Sequence, residues 1–481
     1  YANCKGRFGV YDKRTGQEMQ YYVGASNMYG HNPKDLKFRF QRVSPIHVSP
    51  HNPDVIYHTS QYVHKTTDEG KTWEVISPDL TAFTPETQVI SGSPITRDIT
   101  GEEFYSTIYD IRESSLEAGV IWTGANDGPV YVTRNGGEEW TNVTPDGLDG
   151  GGRVETVEPS SHQEGKAYFA TYRYLLGDFK PYIYKTEDYG QSWTLLTDGN
   201  NGIPADIPTR VIREDPERAG LLYAGTDNGV YISFDDGQQW QPFQQNLPVT
   251  PNTDMKIHDN DLVMSTMGRG FWILDNLAPA RALTSEVASQ EAVLFHTNQA
   301  YRMHYRETDS SAVPMYPNAG LIIDYYLAND AEEVQIEIRD AEQNLVRQFS
   351  SSNPAGESAD NARSADQRDM STEYTSLDYQ TILSDTKGGH RIIWDLRHAG
   401  PWHEEISRRG SGGPLVVPGT YEIKLTANGS TQTQMAEVKA DPRALEAGTT
   451  QEDLVAQQEL SLKVRSLLSD VRKLEYALSN R

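Results

Sequence analysis

Between residues 42 and 276 the apolar and polar positions follow a recurring pattern. Two short β-rich runs stand together, as in Val55-Ile-Tyr-His-Thr59 with Tyr62-Val-His-Lys-Thr66. The pair recurs as Val120-Ile-Trp-Thr-Gly124 with Pro129-Val-Tyr-Val-Thr133, and as Leu221-Leu-Tyr-Ala-Gly225 with Gly229-Val-Tyr-Ile-Ser233. Another run lies upstream of each unit, at 43–48, 106–111, 153–157 and 210–213. Such runs, bounded by turn residues, predict strands. A polar octet closes four of the units: Thr66-Thr-Asp68-Glu-Gly70-Lys-Thr-Trp73, Thr133-Arg-Asn135-Gly-Gly137-Glu-Glu-Trp140, Thr186-Glu-Asp188-Tyr-Gly190-Gln-Ser-Trp193 and Ser233-Phe-Asp235-Asp-Gly237-Gln-Gln-Trp240. Its pattern is [Ser/Thr]-x-[Asp/Asn]-x-Gly-x-x-Trp. The Asp or Asn oxygen accepts backbone N–H groups further along, Gly supplies a positive φ, and the Trp packs between neighbouring sheets. Each of these jobs is structural, so the octet specifies a fold and no chemistry.

Four strands per unit, with Trp-to-Trp intervals of 67, 53 and 47 residues, are the arithmetic of a β-propeller. Units are expected at about 42–78, 104–145, 153–198, 209–248 and 254–276, the last without an octet. The octets resemble those of Asp-box (bacterial neuraminidase repeat) propellers. A closer resemblance is to the large bacterial sortilin-like propeller proteins labelled "glycosyl hydrolase". It is carried by Arg97-Asp-Ile-Thr-Gly-Glu-Glu-Phe104, Pro181-Tyr-Ile-Tyr-Lys-Thr186, Arg213-Glu-Asp-Pro216 and Gly268-Arg-Gly-Phe-Trp-Ile-Leu-Asp275. It covers about 1–280 strongly and the remainder more loosely.

Outside the repeats, 1–23 reads as an outer hairpin taken from the middle of an incomplete blade, and 281–291 as a linker. A second β domain is expected over 292–440. Its strands include Val334-Gln-Ile-Glu-Ile-Arg339 and Tyr421-Glu-Ile-Lys-Leu-Thr-Ala427, the latter entering a type I′ turn at Asn428-Gly429. Trp394 and Pro418-Gly-Thr-Tyr421 point to an immunoglobulin- or fibronectin-like sandwich. The stretch 350–369 is almost free of apolar residues and reads as a mobile insertion. The predicted fold class is therefore all-β, an Asp-box propeller followed by a sandwich, with a C-terminal helical segment over 441–481. In that helix Leu460, Val464, Leu467, Val471, Leu474 and Leu478 repeat at intervals of 4, 3, 4, 3 and 4, an a/d seam. Lys463, Arg465, Asp470, Arg472, Lys473 and Glu475 fall mostly on its solvated faces. A seam of this kind is expected to pack on a helix of another chain or of a missing segment.

The charge count, 43 basic against 68 acidic residues, gives −25 and argues against nucleic acid or an anionic membrane as partner. No run approaches the ~20 apolar residues of a membrane span. A single cysteine, Cys4, rules out an intrachain disulfide and a Cys metal cluster. The chain opens on Tyr1 in place of Met, so a processed chain or one part of a longer one is expected, its signal segment lying elsewhere. The resemblance implies a bacterial protein of the cell envelope or exterior.

Candidate chemistry gathers at the mouth of the propeller. Arg153 and Arg210 open innermost strands, and Glu155 shares a face with Arg153. Arg97, Tyr105 and Arg269 join them as ligand-binding candidates. Sialidase chemistry, as the resemblance would have it, needs three arginines, a Tyr–Glu pair and an Asp acid, and neither a third arginine nor that pair can be assigned. Hydrolysis of other glycosides needs two carboxylates ~5–9 Å apart across a cleft. Asp98, Glu102, Glu103 and Glu155 are the candidates, each also readable as the salt-bridge partner of a neighbouring arginine. His47, His51, His58 and His64 lie close together, in a spacing typical of surface or channel histidines. The turns at 126–128, 146–150 and 227–229 are turn chemistry first and calcium ligands second. No cofactor is expected. The reading is a propeller that binds a glycan or protein ligand at its mouth, with glycoside hydrolysis there as the alternative.

Overall fold

A computed structural model of the chain describes all residues except 5, 25–27, 43, 91, 93–96, 98–103, 149–150, 304–318, 353–381, 405–411 and 481. The expected insertion at 350–369 lies from 353 onward outside the described residues. The chain divides into two compact units, Tyr1–Asp275 and Asn276–Arg481. It is all-β, with one long helix near its C-terminus.

The first unit is a series of antiparallel sheets, each built in chain order. An N-terminal sheet holds β1 (Ala2–Cys4), β2 (Arg7–Asp12) and β3 (Gln17–Tyr22). Blade A holds β4 (Ile46–Val48), β5 (Ile56–Thr59), β6 (Val63–Thr66) and β7 (Glu74–Val75). Blade B holds β8 (Ile108–Glu113), β9 (Ile121–Ala125), β10 (Val130–Thr133) and β11 (Thr141–Asn142). Blade C holds β12 (Arg153–Pro159), β13 (Ala167–Tyr172), β14 (Ile183–Thr186) and β15 (Thr194–Leu195). Blade D holds β16 (Thr209–Glu214), β17 (Leu222–Thr226), β18 (Gly229–Ser233) and β19 (Gln241–Pro242). Blade E stops at three: β20 (Asn252–His258), β21 (Asp261–Thr266) and β22 (Phe271–Leu274). Second and third strands such as β17 and β18 are buried on both faces because a blade packs on each side, so they read as apolar runs and do not alternate.

The octets form the turns between third and fourth strands, and all four use one set of bonds. The leading hydroxyl accepts the Gly N–H and donates to the Asp or Asn, at 2.8 Å from Thr66 to Asp68 and from Thr186 to Asp188. Oδ1 of Asp68, Asn135, Asp188 and Asp235 accepts the N–H four residues on. Each turn also grips the preceding blade. The indoles of Trp140, Trp193 and Trp240 donate to the carbonyls of Ile76, Val143 and Leu196, the residue after the fourth strand in each case. A Cβ on Gly137, Gly190 or Gly237 would come within 2.6 Å of an atom of that same residue. For blade A the place is filled by Phe8 of β2, which stands edge-on to Trp73 at 5.1 Å, while the Trp73 indole turns back to Gly70.

His58 and His64 are interior, in contrast to the surface or channel location expected of them. They face one another across β5 and β6 and stack on Phe40 at 5.4 and 5.7 Å. The aromatic rings around them make a histidine ring a filler here, and Ser60 bonds Nε2 of His64 at 2.8 Å.

In the second unit two sheets enclose one apolar core. One is β23 (Ala292–Leu294), β25 (Leu321–Leu327) and β28 (Gly388–Trp394). The other is β24 (Ala300–Arg302), β30 (Ser430–Ala440), β29 (Gly419–Ala427), β26 (Val334–Arg339) and β27 (Leu345–Ser350), in that spatial order. Trp394 meets Tyr421 edge-on at 5.4 Å, and the Tyr421 hydroxyl donates to the Val417 carbonyl. The stretch 281–291 is more than linker: α1 (Ala278–Ala282) has Pro at its start, and α2 (Ser285–Ala288) is capped by Thr284. After α3 (Pro442–Glu446), a capping box between Thr450 and Asp453 starts α4 (Gln451–Ser479).

Candidate functional site

The site begins with an irregularity of the backbone. The innermost strands β8, β12, β16 and β20 each break register once, at 108/110, 154/156, 209/211 and 252/254. A bulge leaves one residue unpaired and re-aims its side chain. Here the unpaired residues are Tyr109, Glu155, Arg210 and Thr253, equivalent positions in four successive blades. The register shift therefore presents a phenol, a carboxylate, a guanidinium and a hydroxyl at one level of the propeller. Gly124 on β9 permits the tight approach of the next blade, since a Cβ there would overlap Val154 of β12.

Three of these groups belong to one cluster. Arg153, first residue of β12, donates to Glu155 through Nε at 2.9 Å and Nη2 at 2.6 Å. Arg210 lies 3.5 Å from the same carboxylate, bonds Asp227 at 2.5 Å and donates to the Tyr172 hydroxyl at 2.6 Å. Tyr172 in turn donates to the second oxygen of Asp227 at 2.8 Å. The guanidinium of Arg153 stands over the Tyr109 ring at 4.8 Å, and that of Arg210 over Tyr172 at 3.9 Å. Two cations and two anions leave the cluster formally neutral. Burial pushes the Glu155 carboxyl up, opposed by Arg153 and then Arg210. Burial and the bond to Asp227 raise the Tyr172 phenol.

One level deeper, Asp110 accepts the N–H groups of Ile111 and Val157, stapling β8 to β12, and burial raises its pKa. Arg213 ties Glu158 of β12 at 3.3 Å to Asp254 of β20 at 2.7 Å. Burial raises the Glu158 carboxyl as well.

Arg153, Glu155 and Arg210 are thus brought together. Tyr105 lies in the segment before β8, near Gly151, with its phenol raised by burial and by Asp127. Arg97 is exposed in an isolated bridge with Gly92, and Arg269 is exposed in the β21–β22 turn, where its carbonyl accepts the Trp272 indole. Asp98, Glu102 and Glu103 lie outside the described residues. Asp68, Asn135, Asp188 and Asp235 sit at the other end of the strands: the third strand runs parallel to the first, so its turn falls opposite the end where Arg153 begins β12.

The calcium candidates have other partners. Asp227 serves Arg210 and Tyr172, Asn126 accepts the Thr107 amide, and Asp127 accepts those of Ala82 and Phe83. Residues 149–150 of the third turn are outside the described residues. Among the described residues no group of three or more His, Cys, Asp or Glu side chains is placed to hold a metal ion. Sequence reasoning missed Tyr109, Tyr172 and the ion-pairing role of Asp227. Bulges leave no mark in hydrophobic alternation, and the Arg210–Asp227 separation reads as an ordinary strand–turn step.

No family model matches the chain. The oligoxyloglucan-reducing end-specific xyloglucanase of Emericella nidulans is 30% identical in a 198-residue alignment that covers 35% of this chain and 23% of that protein. The match therefore spans about a quarter of that relative's length. Among solved structures, the GH74 xyloglucanase from Xanthomonas campestris aligns with TM-score 0.39 and 13% identity over 87% of this chain and 67% of that one. PorZ, a surface component of the type-IX secretion system of Porphyromonas gingivalis, aligns at 0.35 and 11% over 91% and 56%. YCF48 bound to D1 peptide aligns at 0.30 and 14% over 46% and 61%. The chain is a β-propeller protein related in sequence to a glycosyl hydrolase.

Proposed function

We propose that this is an envelope or extracellular protein of the Asp-box kind that binds a neutral glycan at the propeller mouth. The observation that carries the reading is the convergence of Tyr109, Glu155 and Arg210, on equivalent bulges, with Arg153, Tyr172 and Asp227. A saccharide needs donors and acceptors for its hydroxyls and aromatic faces for its C–H surfaces. Guanidinium, carboxylate and phenol supply these, and the balanced charge does not select for an ionic ligand. The relative named as a xyloglucanase makes xyloglucan fragments the first probe.

Binding without turnover is favoured because Glu155 and Asp227 both lean on the Arg210 guanidinium. A general acid must release its proton to the substrate, and a carboxylate held in an ion pair resists carrying one. The alternative, glycoside hydrolysis, draws on one fact: burial already raises the Glu155 carboxyl, the direction an acid requires. Calorimetric titration with neutral xyloglucan oligosaccharides, alongside a reducing-end assay, separates the two. Saturable binding with no new reducing ends supports the proposal. Turnover that disappears in Glu155→Gln supports hydrolysis, and no binding by any neutral glycan removes both.

A further inference from the structure

α4 sits on its own domain by the less apolar of its two stripes. Leu454 is buried, and Gln458, Ser461, Leu462, Arg465, Ser469 and Arg472 are half-buried along one side. Gln458 accepts the Val417 amide, Arg465 donates to the Ala399 carbonyl, Ser469 accepts the Trp402 amide, and Tyr476 meets the Trp402 ring at 5.7 Å. The reason is local: this irregular backbone offers amides and carbonyls that need partners, and leucines cannot supply them. The seam of Leu460, Val464, Leu467, Val471, Leu474 and Leu478 lies roughly 130° round the helix, and each member is between 56% and 66% exposed. Arg465 and Arg472, expected on solvated faces, instead lie against the domain.

We propose that this seam pairs with α4 of a second copy of the chain, in parallel and in register. The side chains favour that occupant. The 4-3-4-3-4 spacing puts Val464, Val471 and Leu478 at a, and Leu460, Leu467 and Leu474 at d. Valine at two of the three a positions, with Leu at every d, fits the geometry of a two-stranded parallel coil. In-register pairing matches all six apolar positions with their own copies, with no polar group in the seam. The helix is held ready: the capping box fixes its first turn, and the bonds to Val417, Ala399 and Trp402 hold its far side. Little ordering entropy remains to be lost on pairing. Flanking charges oppose the arrangement mildly, since parallel register sets Asp470 at g against Glu475′ at e. The association is therefore a weak, concentration-dependent one.

The test is sedimentation equilibrium of the full chain across a concentration series. The wild type is expected to dimerise, and Leu467→Asp/Leu474→Asp to stay monomeric, with its circular dichroism unchanged and its melting equal to that of the wild type at concentrations where the wild type is monomeric, because both side chains face water in the single chain. Glu475→Lys converts two like-charge contacts into attractive ones only in the parallel register, and should tighten the dimer by about threefold or more. A wild-type monomer throughout the series overturns the proposal, as does a dimer that survives the double substitution. A dimer that Glu475→Lys leaves unchanged or weakens overturns the parallel arrangement.

Discussion

At the scale of single residues the octet turns divide into two chemical types. Asp68 and Asp188 use both oxygens, because Thr72 and Ser192 donate hydroxyls to Oδ2, while Asn135 and Asp235 use Oδ1 for the N–H four residues on. Backbone and hydroxyl donors hold the Asp68 carboxyl down to about 2 and the Asp188 carboxyl below its ordinary value. Depressed carboxylates contribute stability above the ordinary value of 3.8, and that contribution is lost as pH falls toward 2. Asn135 does the backbone part of the job uncharged, so Asp188→Asn should keep the turn and flatten the acid limb of a denaturation series between pH 4 and 2 (a range of about 2 units). Asp235→Ala strands the Gln239 amide and should cost ~1–2 kcal/mol in urea unfolding. Gly237→Ala should cost more, ~3 kcal/mol, since φ is +85° and the new methyl would sit 2.6 Å from Leu196 Cδ1. If the glycine variant proved the milder of the two, the contact with the preceding blade would not be what fixes this residue.

At the scale of the element, the strands and their turns were legible and the bulges were not. Alternation and the octets locate third and fourth strands because their causes are local: β-branched runs, Asx turns and positive-φ glycines. Even there one feature escaped, for the residue before each glycine is also left-handed, at +60° for Glu69 and +59° for Tyr189. The bulges in β8, β12, β16 and β20 arise from packing against the neighbouring blade, which a single strand's sequence does not encode. Arg153, Glu155 and Arg210 are legible in the sequence as residues of the propeller mouth, whereas nothing in the sequence singles out Tyr109 or Tyr172. The same absence of tertiary information put Arg465 and Arg472 on the wrong side of α4. The bulge also sets what the arginines are worth. Arg210 is nearly buried between Glu155 and Asp227, so Arg210→Ala leaves two anions without their shared partner and should cost ~3 kcal/mol or more. Arg153 is a quarter exposed and shares Glu155 with Arg210, so Arg153→Ala should cost nearer ~1 kcal/mol. Thermal melts of the two variants check the order, and equal losses would mean that Glu155 draws as much support from Arg153 as from Arg210.

At the scale of the whole molecule two electrostatic effects pull stability in opposite directions as pH falls. The net charge of −25 repels itself, and acidification toward the isoelectric point near 4.9 relieves that repulsion; the carboxyls of Asp110, Glu155 and Glu158, raised by burial, take up protons in the folded chain and act in the same direction. Against it stand two histidines, His64 buried and His47 half-buried. Burial holds His47 and His64 down to about 3, from an ordinary 6.5. His47 accepts the Glu113 amide through Nε2, and Nδ1 of His64 is buried with no hydrogen-bond partner among the described residues. Between pH 6.5 and 3 the unfolded chain therefore binds protons that the folded chain refuses, and stability falls with pH by up to about 1.4 kcal/mol per unit for each histidine. Self-repulsion is spread over exposed side chains and is screened within about 8 Å at physiological salt, so it changes less over the same range. The histidines should win. Chemical unfolding of the propeller unit at about 0.15 M salt should lose up to ~3 kcal/mol between pH 6.5 and 5. His64→Phe keeps a ring against Phe40 and has nothing to protonate, so it should remove about half of that slope. A stability that stays level or rises on acidification would show that the carboxylates, and not these imidazoles, govern the acid response.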